Sequence, residues 1–479
     1  MMISSEGGSQ STADLPTYFH YHRGPMQANA NIQNFPIGEA EQQISNQVLG
    51  GQSHFSGSSI RLSYSRNYSA DSALPGIFNP RKISIAALFG LQYPPMEKIT
   101  LIATLSFGLE AVVKRELQAL GFENIQASDG KVEFEAAPEE IPTANLWLRS
   151  ADRVLLKMGE FRAVTFDELF EQTKALPWEA WITKDGKFTV TGKSVKSTLG
   201  SVRACQAIVK KAVVDRLGET YKTDWFAESG AEFTIQVSML RDIAQLTIDT
   251  SGSGLHKRGY RLQAGQAAIK ETLAAALVQL SFWNRERLLI DPMCGSGTIL
   301  IEAALLGRQI APGLNREFAS EGWPAIPQEA WRSARSAARQ AILPTGEMQI
   351  LGYDVDPDMI AASKANAKRA GVGKDITFEQ KDIRDLWIDQ QYGILISNPP
   401  YGIKLSDFQE LNQLYISIHK TFRKKSGWSV YILTADKKFP DYFKRAQPDR
   451  VRKLYNGTIE VNYYQYYGER PPAVPEPVD

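Results

Sequence analysis

The sequence predicts an α/β protein: a doubly wound, mostly parallel sheet in the C-terminal half, closed by an antiparallel hairpin and preceded by two smaller α+β modules. Three observations predict it. From Gly254 onward, apolar runs of strand length alternate with helix-length stretches, the pattern of a parallel sheet covered by helices. Between Lys98 and Thr250 the alternation recurs in two shorter units. Near the C-terminus, Asn456-Gly457 interrupts the alternating apolar residues of KLYNGTIEVNYYQYY, a strong hairpin signal.

Taken in order, residues 1–95 are rich in Ser, Gln, Asn, Gly and Pro without a sustained period, and are expected to form a disordered extension. Their only basic residues are Arg23, Arg61, Arg66, Arg81 and Lys82, too sparse for a transit peptide, and no apolar signal region stands near the start. Met96, just before the strand-like ITLIATL, is the expected start of the ordered protein, with the upstream residues an organelle address or a misassigned start. Residues 96–155 read as one small module: ITLIATL, the helix GLEAVVKRELQALG ended by Gly121, the strand KVEFEA, and NLWLRSADRVLLKMGEF. Residues 156–250 read as a second, with strand KFTVTGKS, helix SVRACQAIVKKAVVDRLG and strands FTIQVSML and DIAQLTIDT. Residues 251–468 carry the larger sheet, with strands LLI, QILGYDV, ITFEQ, YGILISN and WSVYILT, and 469–479 form a Pro-rich tail expected to be unstructured.

Composition narrows the classes. The 479 residues are 43% hydrophobic and 22% charged, and no run approaches the roughly 20 apolar residues that span a membrane, so a cytoplasmic protein is expected. A net charge of +1 neither demands nor excludes a polyanionic partner. The two cysteines, Cys205 and Cys294, and the five histidines show no metal-ligand spacing, so neither a disulfide framework nor a metal is expected.

The chemistry is concentrated at four strand ends. In LLIDPMCGSGTILIEAALLG a buried strand ends at Asp291 and a turn, Pro292, Met293, Cys294, Gly295, Ser296, Gly297, leads into a helix at Thr298. Glycines there let backbone approach a ligand, and the turn lacks both the phosphate-loop ending and the GxGxxG fingerprint. In QILGYDVDPDMIAASKANAKRAG, Asp354 ends the next strand, where a carboxylate suits two vicinal ribose hydroxyls, whereas Asp356 before Pro357 reads as a helix cap. Asp382 follows the third strand, placed to accept an adenine amino group. The fourth element, ILISNPPYG, is the most specific. Pro399 and Pro400 cannot continue a strand, so Asn398 is turned into the cleft. Its side-chain oxygen and the Pro399 carbonyl can each accept one hydrogen of a planar –NH2 group, while Tyr401 offers a stacking face.

DPMCGSGT, GYDVDP and SNPPYG together resemble the class I S-adenosylmethionine-dependent methyltransferases that act on exocyclic amines of adenine or guanine, or on a glutamine amide. DTSGSGLHKRGYR, AAIKETLAAALVQLS and IAPGLNREFASEGW look like the THUMP-domain RNA methyltransferases of the large-subunit rRNA guanine-N2 type, over about residues 96 to 470. That resemblance implies a Rossmann-like catalytic domain, preceded by a ferredoxin-like module (96–155) and a THUMP RNA-binding domain (156–250). It implies S-adenosylmethionine as cofactor and guanine N2 of RNA as acceptor. The best-known bacterial relatives fuse a second methyltransferase domain at the C-terminus, and only the guanine-N2 activity is carried over.

Between Thr183 and Lys211 seven basic residues, among them Lys187, Lys193, Lys196 and Arg203, face one acid, Asp185, and Lys257, Arg258 and Arg261 form a second cluster in HKRGYR. Both are expected to meet RNA phosphates. Rival expectations are a tRNA guanine-N2 or adenine-N6 enzyme, a DNA-adenine or protein-glutamine enzyme, and a catalytically silent RNA-binding assembly protein. The target nucleotide and the oligomeric state are not written in the sequence.

Overall fold

The computed structural model describes residues 98–261, 269–346, 348–400, 407–443 and 447–472. The expectations for residues 1–95, for Tyr401 and for most of the Pro-rich tail lie outside these residues.

The first half builds a seven-stranded sheet from β1 (Ile99–Thr104), β2 (Glu123–Ser128), β3 (Lys131–Ala136), β4 (Arg153–Arg162), β5 (Lys187–Val195), β6 (Glu232–Leu240) and β7 (Ile243–Asp249), in the order β2-β3-β1-β4-β7-β6-β5. Its helices are α1 (Glu110–Ala119), α2 (Ile141–Trp147), α3 (Phe166–Lys174) and α4 (Val202–Tyr221). One strand, β4, joins the two small modules: residues 153–156 pair with β1 on one side, and residues 155–162 pair with β7 on the other. Strand β2 went unread in the sequence because its six residues are exposed or half-exposed and carry no apolar alternation. Local signals hold elsewhere. Thr165 caps α3 by accepting the Glu168 N–H at 3.2 Å while Glu168 reaches back to the Thr165 N–H at 3.3 Å, a reciprocal capping box. The β6–β7 turn places Arg241 and Asp242 at φ of 50° and 65°, the two-residue geometry that matches strand twist.

The second sheet comprises β8 (Leu289–Asp291), β9 (Ile350–Asp354), β10 (Thr377–Gln380), β11 (Ile394–Ser397), β12 (Ser429–Thr434), β13 (Arg450–Asn456) and β14 (Ile459–Tyr466). Its order is β10-β9-β8-β11-β12-β14-β13. The first five strands run parallel, β14 runs antiparallel to them between β12 and β13, and β13 returns to the common direction, so the hairpin expected at Asn456-Gly457 closes the sheet. Helices α5 (Glu271–Gln279), α6 (Thr298–Gly307), α7 (Gln328–Gln340), α8 (Pro357–Arg369), α9 (Asp407–Phe422) and α10 (Phe439–Phe443) complete the domain. Chain direction across the sheet reverses between β8 and β11. In an open α/β sheet that reversal opens a crevice beyond the strands' C-terminal ends, where ligands bind.

The two halves share a core. Trp323, in the segment between α6 and α7, is fully buried and stacks on Phe233 of β6 at 4.9 Å, and its indole N–H donates to the Glu232 carbonyl at 3.2 Å. No helix among the described residues is long and apolar enough to cross a membrane.

Candidate active site

Asp291 closes β8 at the reversal point. It is buried, and its carboxylate accepts the Ser397 hydroxyl at 2.6 Å and the Met293 N–H at 3.2 Å. Ser397 is the last residue of β11, so this bond ties the Gly-rich turn to the start of the Asn-Pro-Pro turn. Burial raises the Asp291 pKa to about 7 against the lowering effect of those two donors, and the nearby Asp354 adds to the rise. Ser397 was not singled out in the sequence. Its position beside Asn398 was the only signal available.

The two glycines of the turn are needed for different reasons. Gly295 has φ +52°, and an added Cβ there would meet nothing within 4 Å, so it faces open space at the crevice. Gly297 has φ +80° and caps α6, and its Cβ would crowd Phe378 and Ser363 at 3.0 Å. Gly297 is therefore required by packing against Phe378 and Ser363 as well as by its left-handed φ. Pro292 and Thr298 are buried, Thr298 accepting from Arg261 at 3.1 Å, while Met293 is half-buried. Cys294 is buried with its thiol pushed upward in pKa by desolvation and the two nearby carboxylates, so it is inert as a nucleophile.

Asp354 sits half-buried at the end of β9, its carboxylate accepting the Gly295 N–H at 2.9 Å and the Asp356 N–H at 3.0 Å. Each oxygen keeps a further lone pair, the capacity two vicinal hydroxyls require. Asp356 caps α8 by accepting the Asp358 N–H at 2.8 Å, as its place before Pro357 implied. Asp382 follows β10, where the Arg384 guanidinium grips its carboxylate through Nε at 2.9 Å to each oxygen and holds its pKa down. An adenine amino group there would share that carboxylate with Arg384. Asn398 is half-buried, Pro399 buried and Pro400 exposed, directly beyond β11. Asp291, Gly295, Asp354 and Asn398 thus stand together at the ends of adjacent strands, with open space at Gly295 and Asp354 half-exposed. Among the described residues, no group of His, Cys, Asp and Glu is arranged to hold a metal.

The expected RNA contacts divide. Lys193, Lys196 and Arg203 are exposed, and Lys187 is exposed but pairs with Glu232 at 2.8 Å. Lys257 is exposed. Arg258 and Arg261 require correction. Arg258 is enclosed against Glu302 at 3.6 Å, and Arg261 pairs with Glu271 at 3.1 Å, with side chains only 3% and 8% accessible. Their charge is spent inside the fold, so they cement the linker instead of meeting phosphates.

Comparison with known proteins adds names to these parts. Residues 100–155 match the RlmL ferredoxin-like domain, 163–249 the THUMP domain and 258–465 the RMKL-like methyltransferase domain. The chain is 47% identical over 376 residues to "Putative RNA methyltransferase YpsC" of Bacillus subtilis, covering 78% of this chain and 97% of that protein. It is 34% identical over 382 residues to "Ribosomal RNA large subunit methyltransferase K/L" of Psychromonas ingrahamii, covering 78% of this chain and 51% of that one, so the chain spans about half the length of that relative. Two solved structures superpose with a TM-score of 0.75 and cover 78% of this chain. One, titled "predicted N6-adenine-specific DNA methylase" from Listeria monocytogenes, is 48% identical over 97% of its length. The other, "a putative methyltransferase complexed with SAH", is 41% identical over 100% of its length.

Proposed function

The chain belongs to the family of THUMP-domain RNA methyltransferases with an RMKL-like catalytic domain, and on that premise we propose that it methylates guanine N2 of large-subunit rRNA, using S-adenosylmethionine. The observation that carries the reading is the juxtaposition, through the Ser397–Asp291 bond, of the Gly-rich turn after β8 and the Asn-Pro-Pro turn after β11 at adjacent strand ends. The cofactor, when bound, supplies an electrophilic methyl group on a sulfonium. Asp354 holds its ribose hydroxyls, Gly295 leaves room for it, and Asp291, Pro292, Met293, Cys294, Gly297, Thr298 and Asp382 frame the crevice.

Asn398 and the Pro399 carbonyl address the acceptor. An exocyclic amine is a poor nucleophile because its lone pair is delocalised into the ring, and two acceptors aimed at its hydrogens localise that pair as the new bond forms. No strong base is needed beforehand, since the nitrogen becomes acidic as it is alkylated. Holding both reactants in line supplies most of the acceleration. Lys193, Lys196 and Arg203 on the THUMP side, with Lys187 and Lys257, contribute phosphate contacts, and Tyr401 stacks on the base.

The deciding experiment is nucleoside analysis by mass spectrometry after the purified enzyme acts on unmodified large-subunit rRNA. N2-methylguanine is expected. N6-methyladenine, or methylation of tRNA alone, would move the acceptor to one of the alternatives that meet the same pair of acceptors. No methylation of any RNA would favour the silent assembly protein.

A further inference from the structure

Strand β13 is the last strand of the catalytic sheet among the described residues, and the β1–α1 loop of the ferredoxin-like module lies against it. A Cβ on Gly108 would sit 2.7 Å from the Lys453 carbonyl, and the Phe107 ring meets Tyr455 edge-on at 6.2 Å. Arg450 and Arg452 stand two residues apart on β13, hence on one face of the sheet. The helix after that loop, α1, contributes Arg115. Burial lowers the pKa of Arg115 and of Arg452; Glu116 opposes the shift at Arg115, while Arg450 adds to it, and Arg450 and Arg115 add to it at Arg452. The loop that leads into α1 packs on β13, so Arg115 and the two β13 arginines lie along one seam. Arg452 Nε has no hydrogen-bond partner, and no ion pair among the described residues joins any of the three to a carboxylate. On the neighbouring strand Arg452 pairs across to Tyr463, whose ring stacks on Tyr431 at 5.8 Å.

Position links the cluster to the active site. Ser397 pairs with Ile432, Ile432 with Tyr464, and Tyr464 with Val451, so Arg450 and Arg452 bracket the level of Ser397. They stand three strands away, roughly 14 Å at the usual spacing of strands. A nucleic-acid backbone leaving the Asn398 turn covers that distance in two or three nucleotides.

We propose that Arg115, Arg450 and Arg452, brought together at the seam between the ferredoxin-like module and the C-terminal hairpin, form a phosphate-binding rail for the substrate RNA backbone flanking the target base. Three guanidiniums that form no ion pair with a carboxylate would be left mutually repelled by any neutral partner, whereas phosphodiesters neutralise them and accept paired N–H donors. The rail rests on the proposal that the substrate is RNA. It is a second basic surface, separate from the lysines of β5 and α4.

Because backbone contacts do not read sequence, the test uses the full chain and a fluorescein-labelled single-stranded RNA 12-mer, with binding followed by anisotropy from low to high salt. The Arg450→Ala/Arg452→Ala double variant, and separately Arg115→Ala, are compared with wild type. Removing two phosphate contacts should flatten the slope of log K against log salt by about 1.4 for single strands, and removing one by about 0.7. Arg450→Lys/Arg452→Lys should restore most of the slope. S-adenosylmethionine titration of each variant reports an intact fold. A wild-type slope in the variants overturns the rail while leaving the RNA reading standing. Failure of wild type to bind the RNA at low salt overturns both.

Discussion

At the residue level, the buried Asp291 couples protonation to cofactor. Its raised pKa means that this group favours the ligand-free fold most below the ordinary carboxylate value near 3.8, and that this contribution is lost as pH rises through about 7. An incoming sulfonium favours the ionised form. Cofactor affinity should therefore climb with pH up to about 7 and level off above it, and calorimetry at pH 6 in buffers of different ionisation enthalpy should register proton release. Asp291→Asn should abolish both effects, and equal heats in all buffers for wild type would refute the coupling. Asp354→Ala should weaken the cofactor by about tenfold or more, the worth of hydrogen bonds to a charged acceptor. Unchanged affinity in a calorimetric titration would remove Asp354 from the ribose. Asn398→Ala should leave cofactor affinity nearly intact and lower turnover about a hundredfold, since it removes one acceptor aimed at the reacting amine. Full turnover by that variant would sink the mechanism.

Among the elements, the turn from β8 into α6 separates two glycine roles that the sequence presents identically. Both Gly295→Ala and Gly297→Ala force a side chain into the left-handed region at a cost of about 1–2 kcal/mol. Only at Gly297 does the new methyl also collide with Phe378 and Ser363. Thermal unfolding should thus show Gly297→Ala as the less stable, whereas titration should show Gly295→Ala as the poorer cofactor binder. The reverse ranking would mean the open face is not the ligand's. Strand-end acids, the Gly-rich turn, the Asn-Pro-Pro turn and the hairpin were legible because each is a local signal of residue type and spacing. What stayed hidden depends on distant partners. The Ser397 hydroxyl finds Asp291 106 residues away, Arg258 finds Glu302, and β2 is an exposed edge strand recognisable only by its neighbour β3.

For the whole molecule, buried polar groups bind the ferredoxin-like module to the catalytic domain. Arg149 is buried and donates to the Ile310 carbonyl at 2.8 Å. Arg258 donates to the Arg149 carbonyl and faces Glu302 at 3.6 Å, and Tyr260 donates to Glu302 at 3.0 Å. Burial pulls the Arg149 pKa down to about 10 even with Glu302 and Glu116 opposing it, a sign of how little water reaches this seam. Glu302→Ala would leave Arg258 charged and unpaired in that interior, so stability should fall by about 3–5 kcal/mol. Scanning calorimetry should show one transition at lower temperature. An unaltered transition would mean the pair contributes nothing to joining the modules.

Strand β4 gives this architecture a further meaning. Because its ten residues are hydrogen-bonded to β1 on one side and β7 on the other, no flexible tether separates the two N-terminal modules, and the buried seam leaves little play between them and the catalytic sheet. The chain therefore behaves as a caliper with its jaws fixed. If one jaw grips RNA through the THUMP surface and the other holds the acceptor base at Asn398, the span between them is a constant of the protein. A transcript would then qualify as substrate by folding to that span, and selection of the target would become a measurement of distance as much as a recognition of bases.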